Sequence, residues 1–190
     1  MTDDTPNSRR SLHTGGCQCG AVRYALYAEP SNASVCHCRM CQKASGNLFQ
    51  ALAGVSRILH AGDVGPPDVL VELATIAPVQ AVWGNTDAPG RGDLVERIEE
   101  TIGGVRVVVT HGHELGSPKP PQLVSLYMNA QVIIYGHTHQ QLITRAARRI
   151  VINPGAAGAR RFKLQPSVAK LYIEDGKADV ELIALGDLVD

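Results

Sequence analysis

The chain has 190 residues, 18 basic and 18 acidic side chains, and a formal net charge of zero. That length supports one domain or two small ones with a real core. Balanced charge removes the electrostatic case for nucleic acid or an acidic membrane as the main partner. A hydrophobic share of 44% argues against wholesale disorder, and with only 4% aromatics the core must be built from Val, Ile, Leu and Ala. No apolar run approaches the roughly 18 residues of a membrane span. The opening Met-Thr-Asp-Asp-Thr-Pro-Asn-Ser-Arg-Arg lacks the apolar stretch of a signal peptide, so a cytoplasmic protein is the expectation.

Residues 1–13 are polar and carry Pro6, and are expected to form a flexible tail. Residues 14–45 are rich in Gly, Cys and Ser, with one alternating stretch over 21–27 that predicts a strand. From Leu48 onward short aliphatic runs recur at 57–60, 79–83, 105–109, 132–135, 150–152, 167–173 and 180–185. Near-continuous aliphatic strands suit a sheet buried on both faces. Between them, residues 66–76 and 121–129 predict helices, the first opened by Pro66-Pro67. Leu94–Ile102 fits either a helix or a strand leading into a hairpin turn at Gly103-Gly104. The last two runs, joined by Glu174-Asp175-Gly176-Lys177, predict a closing hairpin. The expectation is an α/β sandwich with a small Cys-rich cap.

Five Cys and seven His are distributed unevenly. Every Cys lies between Cys17 and Cys41, and five of the seven His lie between His60 and His139. In a reducing compartment, clustered Cys read as metal ligands. Cys17-Gln18-Cys19 and Cys36-His37-Cys38-Arg39-Met40-Cys41 can supply a tetrahedral thiolate set for zinc. The His-bearing motifs each follow an aliphatic run: His60-Ala61-Gly62-Asp63, Gly84-Asn85-Thr86-Asp87, Thr110-His111-Gly112-His113 and Gly136-His137-Thr138-His139. Sites in open α/β sheets form at the carboxyl ends of strands, and the Gly in each motif lets the backbone turn. Carboxylate, amide oxygen and imidazole together suit Mn, Fe or Zn.

These motifs, with Ile152-Asn153-Pro154-Gly155, resemble the calcineurin-like metallophosphoesterases, and most closely their small YfcE-type phosphodiesterase branch. The resemblance covers residues 46–190 and implies an αββα sandwich. It implies that Asp63 bridges two metals, that Asn85, His111 and His137 complete one site, and that His139 belongs to the other. His60 and His113 would stand behind those ligands. The implied reaction is attack of a metal-bound hydroxide on a phosphodiester or small phosphate ester. The family's opening strand and Asp-x-His-Gly-Asn motif are replaced by Lys43-Ala44-Ser45-Gly46-Asn47, so two ligands of the first site are missing. One alternative puts Cys36, His37 or Cys38 in the vacated position.

Residues 14–49, with Ala21-Val22-Arg23-Tyr24 and Gln42-Lys43-Ala44-Ser45-Gly46, resemble the start of the glutathione-dependent formaldehyde-activating family. That resemblance implies a structural zinc on Cys17 and Cys19 and a catalytic zinc on Cys36, Cys38 and Cys41. No Cys follows Cys41, so most of that domain is lacking. The expected organisation is chimeric: a truncated zinc-binding segment over 14–45 and a phosphoesterase domain over 46–190. Alternative functions are a non-catalytic binding scaffold of the same fold, as in a retromer subunit, and a zinc-thiolate carbon–sulfur lyase-like activity. Homo-oligomerisation stays open. Arg145, Arg148 and Arg149 read as a solvated cluster, and Arg160-Arg161 as a solvated basic pair.

Overall fold

The computed structural model describes residues 13–16, 23–26, 48, 51–146, 148–158 and 164–185. The chain divides into two compact units, Met1–Asn47 with Leu188–Asp190, and Leu48–Asp187. In the first, strands β1 (His13–Gly16) and β2 (Arg23–Leu26) pair antiparallel, so the strand expected over 21–27 is present at its centre. Cys17, Cys19, Cys36, Cys38 and Cys41 lie outside the described residues, as do Arg160 and Arg161.

The second unit carries β3 (Ile58–His60), α1 (Asp68–Ala74), β4 (Val79–Ala81), β5 (Arg97–Ile102) and β6 (Val105–Thr110). It continues through α2 (Pro120–Leu126), β7 (Val132–Tyr135), β8 (Leu142–Ala146) and β9 (Arg149–Asn153) to the hairpin β10 (Ser167–Glu174) and β11 (Lys177–Ala184). Five strands form one sheet in the order β5-β6-β7-β9-β8. Its middle strands β6, β7 and β9 run parallel, and the edge strands β5 and β8 are antiparallel to their neighbours. Facing it are the parallel pair β3–β4 and the β10–β11 hairpin.

The central strands carry successive apolar residues, Val107–Val109, Val132–Ile134 and Ile150–Ile152, because both faces are covered there. Alternation sorts their side chains. Val107, Val109, Val132, Ile134, Ile150 and Ile152 join the core between the sheets, against Ala169, Leu171, Ile173 and Val180 of the hairpin. Val108, Ile133, Tyr135 and Val151 point the other way and pack with Leu123 of α2. On the far side, Leu73 of α1 packs with Ile58, Val168 and Leu185. The layers therefore run helix, sheet, sheet, helix, as expected from sequence.

Of the two readings of Leu94–Ile102, the hairpin is the one realised. Ile102 pairs with Val105, leaving Gly103 and Gly104 as a two-residue loop with φ of 51° and 83°. That conformation is the primed turn that matches strand twist, and glycine adopts it without steric penalty. The closing hairpin turns likewise at Asp175-Gly176, and Gly176 N donates to Gly103 O at 3.1 Å, so the two turns are joined. Of the arginines of the β8–β9 connection, Arg145 and Arg148 are exposed, as expected from sequence, and Arg145 pairs with Asp179. Arg149 is half-buried and donates to the carbonyls of Val124 in α2, at 2.9 Å, and of Met128 just after it.

Leu123 is fully buried and ties α2 to the sheet. Leu123→Ala should lower the unfolding free energy by about 2–5 kcal/mol. Urea unfolding of the variant beside wild type measures this directly.

Candidate active site

Four motifs follow the carboxyl ends of β3, β4, β6 and β7, and Asn153 closes β9. Their polar side chains meet because the strand ends approach so closely that side chains are excluded between them. A Cβ on Gly84 would lie 2.2 Å from Asp63 N and 2.3 Å from Asp63 Oδ1. One on Gly62 would sit 2.5 Å from the Nδ1 atom of His111, and one on Gly136 would sit 2.5 Å from the carbonyl of Ala61. These three glycines make room for the site.

His111 is 2% exposed and stands at its centre. Its Nδ1 lies 2.7 Å from Ala61 O, which can only accept, so Nδ1 carries the proton. Burial pushes the His111 pKa down; the Ala61 carbonyl and the Asp63 charge act against this without reversing it. The ring is therefore neutral near pH 7, with the Nε2 lone pair bare. Nε2 faces Asn85 Oδ1 at 3.2 Å and Asp63 Oδ1 at 3.4 Å. Three electron-pair donors converge with no proton between them. The His137 ring stands 5.2 Å from that of His111, and the His113 ring 5.3 Å.

Burial raises the pKa of Asp63, but the hydrogen bond from Thr86 N at 3.0 Å and the neighbouring His111 and His139 outweigh it. The carboxyl is held below its usual range and is ionised. Asp63, His137 and His139 have φ of 54°, 63° and 56°, a left-handed conformation that non-glycine residues rarely adopt. Backbone strain of this kind clusters at functional positions, where the surroundings over-determine it. His60 has a buried Nδ1 without a hydrogen-bond partner, and burial lowers its pKa against the opposing charge of Asp87.

The expected group Asp63, Asn85, His111 and His137 is thus brought together at adjacent strand ends, with His139 close enough to act on Asp63. Among the described residues no three His, Cys, Asp or Glu side chains converge as a metal cage; the amide of Asn85 completes the closest set. Its chemistry fits a cation. An ionised carboxylate, an amide oxygen and a proton-free imidazole nitrogen otherwise repel one another, and a divalent ion would relieve that.

Residues not singled out from sequence hold the loops. Asp87 is buried and accepts from Gly65 N at 3.0 Å and Gly84 N at 2.9 Å, tying the Asp63 loop to the Asn85 loop. Asn153 donates from Nδ2 to Gly136 O at 3.0 Å and Thr138 Oγ1 at 2.9 Å, and accepts from Gly155 N at 3.0 Å. That amide fixes the loop bearing His137 and His139. Both residues stand in the motifs quoted above, but no spacing rule reveals a residue that acts through backbone groups.

Fold and site together define an αββα sandwich with a cation-fitting cluster at its strand ends. The family model of the calcineurin-like phosphoesterase superfamily domain matches residues 33–176, and the chain belongs to that superfamily. The matched span includes Cys36, Cys38 and Cys41. A probable metallophosphoesterase of Methanothermobacter thermautotrophicus is 39% identical over 142 residues, covering 73% of this chain and 81% of the relative. An Entamoeba histolytica Vps29 variant superposes with a TM-score of 0.60 at 22% identity, over 72% of this chain and 87% of that one. A novel archaeal phosphodiesterase superposes with a TM-score of 0.56 at 21% identity, over 72% and 92% respectively.

Gly84→Ala should cost about 1–3 kcal/mol, because the new methyl meets backbone that cannot yield. Gly92→Ala, with nothing within 4 Å of the added carbon, should stay within about 0.5 kcal/mol of wild type. Paired denaturant melts test the contrast, and equal losses would mean that the close approach at Asp63 is absent in solution.

Proposed function

We propose that the chain is a metal-dependent phosphoesterase that hydrolyses a phosphodiester or a small phosphate ester. The observation that carries this reading is the convergence of Asp63 Oδ1, Asn85 Oδ1 and His111 Nε2 at the strand ends. Asp63, Asn85, His111 and His137 would hold a divalent cation, Mn, Fe or Zn. His139, with Asp63, would contribute to a second position that lacks the Asp-x-His ligands. A bound cation supplies Lewis-acid polarisation of phosphoryl oxygens and makes water a better nucleophile near neutral pH.

The chain's own residues do the rest. Ala61 O holds the His111 proton on Nδ1 and so keeps Nε2 available as a donor. Thr86 N keeps Asp63 ionised and in place. Asp87 and Asn153 fix the loops that carry Asp63, Asn85 and His137, so the donors need not be ordered when substrate arrives. His113, between Trp83 and His111, and His60, beside Asp87, stand behind the donors rather than among them.

We also propose that Cys17, Cys19, Cys36, Cys38 and Cys41 bind zinc as a separate thiolate set, on the strength of their spacing alone. In that arrangement residues 14–45 form a zinc-binding segment whose last part lies inside the family match that begins at residue 33.

Wild-type protein should hydrolyse bis(4-nitrophenyl) phosphate in the presence of manganese, and His137→Ala should abolish the metal-dependent rate. Matching rates would sink the phosphoesterase reading. Metal counting by mass spectrometry should show Cys36→Ser losing zinc and His137→Ala losing the other metal. Loss of all metal in either single variant would mean one shared site instead of two.

A further inference from the structure

His111 also lines a cleft of about 270 Å³, walled by Trp83, Glu96, Arg97, His113 and Glu114. We infer that this cleft takes the nucleobase of a nucleoside phosphodiester, stacked on Trp83, with Glu96 and Glu114 accepting its N–H groups. The inference rests on the phosphoesterase reading, which puts the phosphate beside His111.

Trp83 is only half-buried, and its backbone is fixed: Trp83 N donates to Val95 O at 2.7 Å, next to the Val82–Val95 bridge. Its indole meets the His113 ring at 5.3 Å and 74°, and His113 in turn meets His111. An aromatic surface thus stands one ring away from the cluster of Asp63, Asn85 and His111. Base–aromatic stacking is worth about 1–3 kcal/mol per base, so such a surface can hold one ester arm while the phosphate is engaged.

Charge selects what kind of arm. Arg97 is the guanidinium lining the cleft, and it is committed to Glu99 while lying over the Tyr127 ring, 5.7 Å from its centroid. Its one positive charge is outnumbered at the cleft by the carboxylates of Glu96 and Glu114. Glu96 and Glu114 are exposed carboxylates that repel an anionic arm and accept hydrogen bonds from a neutral one. A sugar carrying further phosphates meets like charge here, and an alkyl arm leaves both carboxylates without donors. A planar, neutral group with N–H donors satisfies the indole and the carboxylates together, and a nucleobase has that chemistry.

The chain has one tryptophan, so its fluorescence reports this cleft. With manganese present, adenosine 5′-monophosphate should quench it saturably, at a midpoint at least ten-fold below that of ribose 5-phosphate or inorganic phosphate. Equal quenching by all three, or none by the nucleotide, overturns the inference. Kinetics give a second readout. Trp83→Ala should raise KM for the 4-nitrophenyl ester of thymidine 5′-monophosphate at least ten-fold and leave that for methyl 4-nitrophenyl phosphate within three-fold. Trp83→Phe should restore the first value. A uniform change in both esters contradicts base stacking. Nucleotide quenching without turnover of either ester retains the base cleft and rejects the phosphoesterase reading; turnover without quenching does the reverse.

Discussion

The contact on which the site depends is the hydrogen bond between His111 Nδ1 and the carbonyl of Ala61. His111 follows β6 in the five-stranded sheet, and Ala61 follows β3 in the facing layer, so one bond ties the two layers at their carboxyl ends. The same bond sets the tautomer of the ring and hence the direction of its free lone pair. The bond forms only because Gly136 lets the β7 end come in beside Ala61 and because Gly62 leaves the ring its space.

Much of this was legible in the sequence, and for definite reasons. β6, β7 and β9 announced themselves because a strand covered on both faces must be apolar at successive positions. Asp63, Asn85, His111 and His137 stood out because each is a donor placed next to glycine just after such a strand. Leu94–Ile102 was ambiguous because Ile98 and Ile102, four apart, share a face in a strand as well as in a helix. The tie was broken downstream, where Gly103-Gly104 permits a two-residue turn and Gly176 N bonds back to it. The Ala61 carbonyl could not be read at all, since any residue carries that group. Asp87 and Asn153 were quoted within motifs, yet their work on backbone amides and carbonyls of other loops depends on contacts distant in sequence. Arg149 was misread because its partners, the carbonyls of Val124 in α2 and of Met128 just after it, lie 21 or more positions earlier.

The site is assembled at a cost that the sheets must cover. Asp63, His137 and His139 each hold a left-handed backbone, at about 1–3 kcal/mol apiece. Their loops would relax to ordinary conformations if they were not held. Thr86 holds the loop of Asp63 and Asn153 the loop that carries both His137 and His139, with hydrogen bonds of 2.9–3.0 Å. A buried amide that satisfies three loop groups is worth more than its average bond, because removing it strands all three. Preorganisation here is therefore a property of residues that touch no substrate.

The cleft beside this cluster has the opposite character. Where Asp63, Asn85 and His111 present donors that call for positive charge, Trp83, Glu96 and Glu114 present an aromatic surface rimmed by carboxylates. In the proposed function a cation would fill the first and bring the phosphate's charge to it. The second would disfavour further negative charge and suit a flat, neutral group. His111 borders both, so the two requirements fall on one molecule, with its charged centre and its planar arm in neighbouring places. Arg97, the guanidinium among the residues lining the cleft, pairs with Glu99 on the same edge strand. Specificity in such a site comes from the contrast between its two ends. A change at the Trp83 end should leave the donor cluster in place, because Ala61, Thr86 and Asn153 hold it independently of the cleft.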